Sequence, residues 1–173
     1  MGPRALGALV PCALALVAAA LTLPATSASS LPAQGIVVPG ESLGGVRLGA
    51  TRIEVLAAWG RRHGVCRDCR LLTWYFNLKP FEPQGAAVVF RRGRVIRAYT
   101  VWRPRGWRTD GGLELGATSG VLAKAYPRLA SRSCDRYTAF LRPENRRTTS
   151  VFYLYRGRLW GFGLMRPRLS PCL

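Results

Sequence analysis

The chain has 173 residues, 26 basic against 8 acidic side chains, and a formal net charge of +18. It holds a single histidine, His63, so any Ser-His-Asp or Cys-His catalytic arrangement has to be built around that one ring. A field of this sign draws anions, acidic proteins and phosphate-bearing polymers, and disfavours basic partners.

Residues 1–28 have the order of a secretory signal peptide. Arg4 gives a basic start, Ala5–Leu23 is apolar, and Thr26-Ser27-Ala28 supplies the small residues of a cleavage site. Export with an N-terminus at Ser29 is therefore expected, giving a secreted or extracytoplasmic product with no transmembrane segment after cleavage. Residues 29–40 read as an irregular lead-in. The four remaining cysteines, Cys66, Cys69, Cys134 and Cys172, then read as a disulfide framework.

The phrase GGVRLGAT at 44–51 recurs as GGLELGAT at 111–118, with six of eight positions identical at an offset of 67. Self-similarity of this kind marks a repeated structural unit. Thr51 followed by Glu54 is a capping box, and Val55, Leu56 and Trp59 share a helical face, so a helix is expected after Thr51. In the second copy Thr118 caps a helix carrying Val121, Leu122, Ala125 and Tyr126, which Pro127 ends. Gly60 ends the first.

Strands are expected at Leu72–Leu78, Gly85–Arg91 and Arg94–Trp102, then at Arg136–Arg142, Ser150–Tyr155 and Leu159–Met165. Arg92-Gly93 and Arg156-Gly157 supply the turns of two β-hairpins. Residues 104–110, with Pro104 and Gly106, read as a linker between a first repeat at 41–103 and a second at 111–173. The expected fold class is α+β: two tandem units, each a helical segment packed on one face of an antiparallel β-sheet.

The stretches VRLGATRIEVLAAWG, VVFRRGRVIRAYTVW and LELGATSGVLAKAYP resemble the beta-lactamase-inhibitor-protein-like fold. The half-unit is also similar to the BamE-like domain (small outer-membrane lipoprotein A). The resemblance covers Gly40–Leu173 in two copies. It implies non-catalytic binding, through a concave sheet that grips an enzyme or through support of envelope assembly.

Aligning the repeated phrases sets Cys134 opposite Arg67, inside the Cys66–Cys69 window. Pairing within each unit, Cys66 with Cys69 and Cys134 with Cys172, is the simplest framework. Cys66-Arg67-Asp68-Cys69 has dithiol spacing, but it follows a helix instead of opening one, which is the wrong context for a redox thiol. Zinc held by the cysteines or His63 is disfavoured by an oxidising compartment, and neither metal nor cofactor is expected. His63 lies in a charged helix exit, where solvent exposure is expected.

Strand parity divides each strand between two faces. Trp74, Phe76, Leu78, Val88, Phe90, Ile96, Ala98, Phe152, Leu154, Trp160 and Phe162 form the set to be buried under helices. The opposite set comprises Tyr75, Arg91, Arg97, Tyr99, Arg136, Phe140, Arg142, Tyr153 and Tyr155. Tyr and Arg are the residue types of binding hot spots. The expected function is an exported, non-catalytic, monomeric binding module whose open face takes an acidic protein or an anionic cell-envelope surface. Tyr99, Tyr153 and Tyr155 would anchor the partner, with Arg91 and Arg97 steering. Export argues against nucleic acid as the partner in vivo. The alternatives are a secreted hydrolase with carboxylates distant in sequence, or an inhibitor of a secreted enzyme.

Overall fold

Thr51 opens the first helix as its spacing demands. Its side chain accepts from the Glu54 amide at 3.3 Å while the Glu54 carboxylate accepts from the Thr51 amide at 2.6 Å, closing the reciprocal box. The helix is short because Gly60 leaves it at φ 88°. The computed structural model describes Gly2, residues 31–76 and residues 85–173. The signal peptide expected at 1–28, Gly2 apart, and the end of the strand expected at Leu72–Leu78 lie outside the described residues.

In chain order the elements are β1 (Gln34–Val38), β2 (Ser42–Leu43), β3 (Val46–Arg47), α1 (Arg52–Trp59), β4 (Gly64–Val65), β5 (Thr73–Phe76), β6 (Gly85–Arg91) and β7 (Arg94–Val101). Then follow β8 (Gly106–Thr109), α2 (Ser119–Ala125), β9 (Ala130–Cys134), β10 (Tyr137–Asn145), β11 (Thr148–Tyr155) and β12 (Arg158–Met165). They form an eight-stranded sheet ordered β4-β5-β6-β7-β12-β11-β10-β9 and a four-stranded sheet ordered β3-β2-β1-β8. No helix among the described residues is long and apolar enough to cross a membrane.

The α+β expectation is thereby corrected: the described residues are mostly β, and the two helices among them have only eight and seven residues. The physical reason lies in segments read as loops. The lead-in at 29–40 contains β1, and the linker at 104–110 contains β8, which pair in parallel with Gly35 opposite Trp107 and Val37 opposite Thr109. Trp107 is fully buried and donates its indole N–H to the Pro32 carbonyl at 2.8 Å. Its ring meets Trp59 edge-on at 5.8 Å. The cover over the large sheet therefore comes from the small sheet (Val37, Leu43, Val46, Trp107) together with Val55, Trp59, Leu122 and Tyr126, instead of from one helix per unit. On α2, Leu122 and Tyr126 are buried, whereas Val121 and Ala125 are exposed.

The repeated phrase has a structural explanation. The Gly49 amide donates to the Val95 carbonyl at 2.8 Å and the Val95 amide to the Ala50 carbonyl at 2.9 Å. In the second copy Gly116 donates to Leu159 at 2.6 Å and Leu159 to Ala117 at 2.8 Å. Each Leu-Gly-Ala-Thr thus docks on the strand that leaves an Arg-Gly turn. Both residues of each turn have positive φ, 51° and 74° at Arg92-Gly93 and 50° and 74° at Arg156-Gly157, as a tight hairpin requires. The two four-strand groups meet at β7 and β12, where Tyr99 opposes Gly163 and Arg97 opposes Met165.

Each hairpin also carries a bulge. Val89 pairs with Arg97 but Phe90 pairs with Val95, leaving Ile96 as the extra residue. Tyr153 pairs with Gly161 but Leu154 pairs with Leu159, leaving Trp160. An extra residue reverses strand parity beyond it. Trp160 consequently leaves the face under the helices and joins the opposite one, while Val95 takes the core position that parity assigned to Ile96.

Candidate functional site

The second face of the large sheet is not open across its width. Cys134, Ala139, Val151, Tyr153 and Met165 form a second buried cluster, with Tyr99, Tyr137, Trp160 and Leu169 packed against it. Its cover is the chain's own C-terminus. After β12 the tail is tied down by the Cys134–Cys172 disulfide, and Cys66 is bonded to Cys69. Arg97 donates to the Cys172 carbonyl at 3.3 Å and also to the Ser170 carbonyl, and the Leu173 amide donates to the Tyr137 hydroxyl.

This arrangement redistributes the expected binding residues. Tyr153 is completely buried, so it cannot anchor a partner; burial also pushes its phenol well above the ordinary range. Arg97 holds the tail instead of steering a ligand. Tyr99 is half-buried, its phenol raised first by desolvation and then by the neighbouring Tyr75. Tyr75 is half-buried too, its hydroxyl 3.7 Å from the Cys69 sulfur.

Phe140 and Arg142 lie on the first face. Phe140 opposes Phe152 of the core across β10 and β11, and the Arg142 guanidinium sits 5.1 Å from the centre of the Tyr126 ring. Arg136 precedes β10 and pairs with Asp135 at 3.5 Å. Arg91 is exposed at the end of β6. Tyr155 meets the exposed Trp102 and the half-buried Trp160 in a cluster of aromatic rings.

That cluster contains Trp102, which the parity sets omit, and Trp160, which they assign to the other face. Trp102, 43% exposed, lies 5.5 Å from Trp160 and 5.7 Å from Tyr155 between ring centres. Trp160 in turn meets Tyr137 at 5.3 Å. Arg156 stacks over Tyr155 at 5.2 Å. Trp102 is locked to β12 by its amide, which donates to the Trp160 carbonyl at 2.6 Å. A hollow of about 600 Å³ is lined by Trp102, Tyr155, Trp160, Arg105, Arg156 and Arg158, with no carboxylate in its wall. The indole N–H of Trp160 is buried without a hydrogen-bond partner among the described residues. Only the bulge places Trp160 here, which is why alternation could not find it.

His63 is half-buried and not free in solvent. Its ring stacks on Trp74 at 4.1 Å, and Nδ1 lies 3.0 Å from the Arg61 carbonyl. Among the described residues no group of three or more His, Cys, Asp or Glu gathers that could hold a metal.

No protein-family model matches the chain, and no curated protein matches it either. Two solved structures align with the chain. An extracellular protein containing an SCP domain from Bacillus anthracis aligns at 14% identity and TM-score 0.51, over 69% of this chain. The chain spans 44% of that protein's chain. The uncharacterized protein yfeY from Escherichia coli aligns at 12% identity and TM-score 0.46, over 80% of this chain and 99% of its own. Neither is described as a beta-lactamase-inhibitor-like or BamE-like protein, and the first likeness bears on fold alone.

Proposed function

We propose that the chain is an extracytoplasmic, non-catalytic binding module that acts as a monomer on an acidic protein. The observation that carries this reading is the Trp102–Tyr155–Trp160 cluster, partly exposed and bordered by Arg105, Arg156 and Arg158. Aromatic rings give area at low entropic cost, and arginines at the rim give charge complementarity to carboxylates. The two disulfides support an oxidising compartment. The extracellular description of the SCP-domain protein points the same way. Non-catalytic binding also agrees with the resemblance to beta-lactamase-inhibitor-like and BamE-like proteins.

A photo-crosslinking side chain at Trp102 tests the reading, with the same group at exposed Val121 on α2 as control. Labelling of an acidic protein from position 102 alone supports it. Labelling from both positions, or from neither, rejects it.

A further inference from the structure

A larger hollow lies on the second face away from the aromatic cluster. It has a volume of about 1150 Å³ and runs between the C-terminal tail and strands β9 to β12. Arg132 of β9, Arg146 and Arg147 of the β10–β11 turn, and Arg166 and Arg168 of the tail line it. All five are exposed, and among the described residues none is ion-paired with an acid. Its floor is apolar, with Leu141 and Met165, and no Asp or Glu contributes to the wall. Past Arg146, Arg147 and Arg166 the trough continues into a second hollow of about 650 Å³.

Five like charges gathered on three elements repel one another and gain when an anion neutralises them. The tail wall is tied to the sheet by the Cys134–Cys172 bond and by hydrogen bonds from Arg97. A preformed site loses little ordering entropy on binding. A single small anion would occupy a small part of such a volume and meet few of the guanidinium groups. A linear polyanion meets them all.

We propose that this trough binds a linear polyol-phosphate polymer of the cell envelope, a phosphodiester chain. A phosphodiester offers two non-ester oxygens on a tetrahedral centre, which can accept from guanidinium groups on the tail wall and on the turn wall at once. The carbon linkers between phosphates fit the Leu141 and Met165 floor. Nucleic acids share this chemistry, but the two disulfides point to an oxidising compartment, where the envelope polymer is the phosphodiester at hand. The site is distinct from the aromatic cluster proposed for an acidic protein.

The test uses the disulfide-bonded chain with three probes of matched charge: poly(glycerol phosphate), a single-stranded oligodeoxynucleotide and poly-glutamate. Both phosphodiesters should bind at least tenfold more tightly than poly-glutamate. With five contacts, oligonucleotide affinity should fall about a hundredfold between 50 and 200 mM salt. Arg146→Ser/Arg147→Ser/Arg168→Ser should lower the salt slope by about 2 and weaken both phosphodiesters at least tenfold. Arg52→Ser/Arg61→Ser/Arg62→Ser removes the same charge elsewhere and should leave binding within about twofold, since exposed charges that make no contact are screened. Circular-dichroism melting establishes that both triple variants fold. Poly(glycerol phosphate) should bind at least as tightly as the oligonucleotide; a tighter oligonucleotide overturns the envelope assignment. Poly-glutamate binding that Arg146→Ser/Arg147→Ser/Arg168→Ser weakens as much as it weakens the phosphodiesters, or equal weakening by the two triple variants, overturns the proposal. Crosslinking from Trp102 reads the acidic-protein site independently.

Discussion

The Tyr153 ring lies directly over Gly163: a methyl group on that glycine would sit 3.0 Å from the tyrosine hydroxyl and 3.1 Å from ring carbon Cε2. Tyr153 on β11 fills the space that two glycines of β12, Gly161 and Gly163, leave free on the covered face. Its hydroxyl has no hydrogen-bond partner among the described residues. Tyr153→Phe should therefore leave stability unchanged or raise it, because an unsatisfied buried hydroxyl is removed. Tyr153→Ala should cost about 3–5 kcal/mol. Gly163→Ala should destabilise, and Tyr153→Phe should restore part of the loss in the double variant. Urea unfolding of the four proteins checks all three statements.

Gly44 and Gly111 open the two copies of the repeated phrase, yet their surroundings differ. A methyl at Gly44 would fall 2.0 Å from Trp107 Cη2, at a backbone φ of 54° that disfavours any side chain. The nearest atoms to a methyl at Gly111 are 3.8 Å away. Gly44→Ala should cost about 2–4 kcal/mol, combining overpacking with strain. Gly111→Ala should stay within about 0.5 kcal/mol of the parent. Thermal melting separates the two.

The disulfides close loops of very different size, with sequence separations of 38 for Cys134–Cys172 and 3 for Cys66–Cys69. Chain-entropy reasoning gives about 4 kcal/mol for the long loop and about 2 kcal/mol for the short one. Cys134→Ser/Cys172→Ser should also free the tail from the second face. Limited trypsin digestion should then cut after Arg168, which precedes Leu169, at a dose that leaves the parent intact, while Cys66→Ser/Cys69→Ser leaves the tail protected.

Glu54 ties stability to pH at the first helix. The Thr51 amide, and then its hydroxyl, hold the Glu54 carboxyl below its ordinary value of 4.5. A carboxyl lowered in the folded state contributes stability above its unfolded pKa, and that contribution fades as pH falls through the folded value. Glu54→Gln should therefore melt below the parent at neutral pH. The gap should narrow as pH drops under 4.5 and close at the acid end. A constant gap would show that the carboxylate's charge is not what the cap uses. At α2 the Thr118 hydroxyl accepts from the Val121 amide without a reciprocal acid. Thr118→Ala should cost about 1 kcal/mol with no such pH dependence.

Features written in nearby residues were legible. The Thr51 box, the Arg-Gly hairpin turns, and the apolar set containing Trp74, Phe76, Val88, Phe90, Phe152, Leu154 and Phe162 depend on spacing along one segment. The pairing of Cys134 with Cys172 also followed from setting the two repeated phrases side by side. The candidate site was less legible: Tyr155 belongs to the aromatic cluster, but Trp102 and Trp160 were missing, Tyr153 was placed outside, and Phe140 and Arg142 were put on the wrong face.

By itself the sequence determined where the two helices begin, where the hairpins turn, that four cysteines form a disulfide framework, and much of the strand contribution to the main core. Each of these follows from sterics and periodicity within a segment, or from the internal repeat. Tertiary structure alone decided the parallel pairing of β1 with β8, because no turn signal joins strands about seventy residues apart. It also decided which side of the sheet Trp160 occupies, since a bulge reverses parity without a composition cue. The burial of Tyr153 had to wait as well. A tyrosine on a strand has the same local chemistry whether it faces water or a tail of the same chain, and only the path from Met165 to the Cys134–Cys172 bond removes it from solvent.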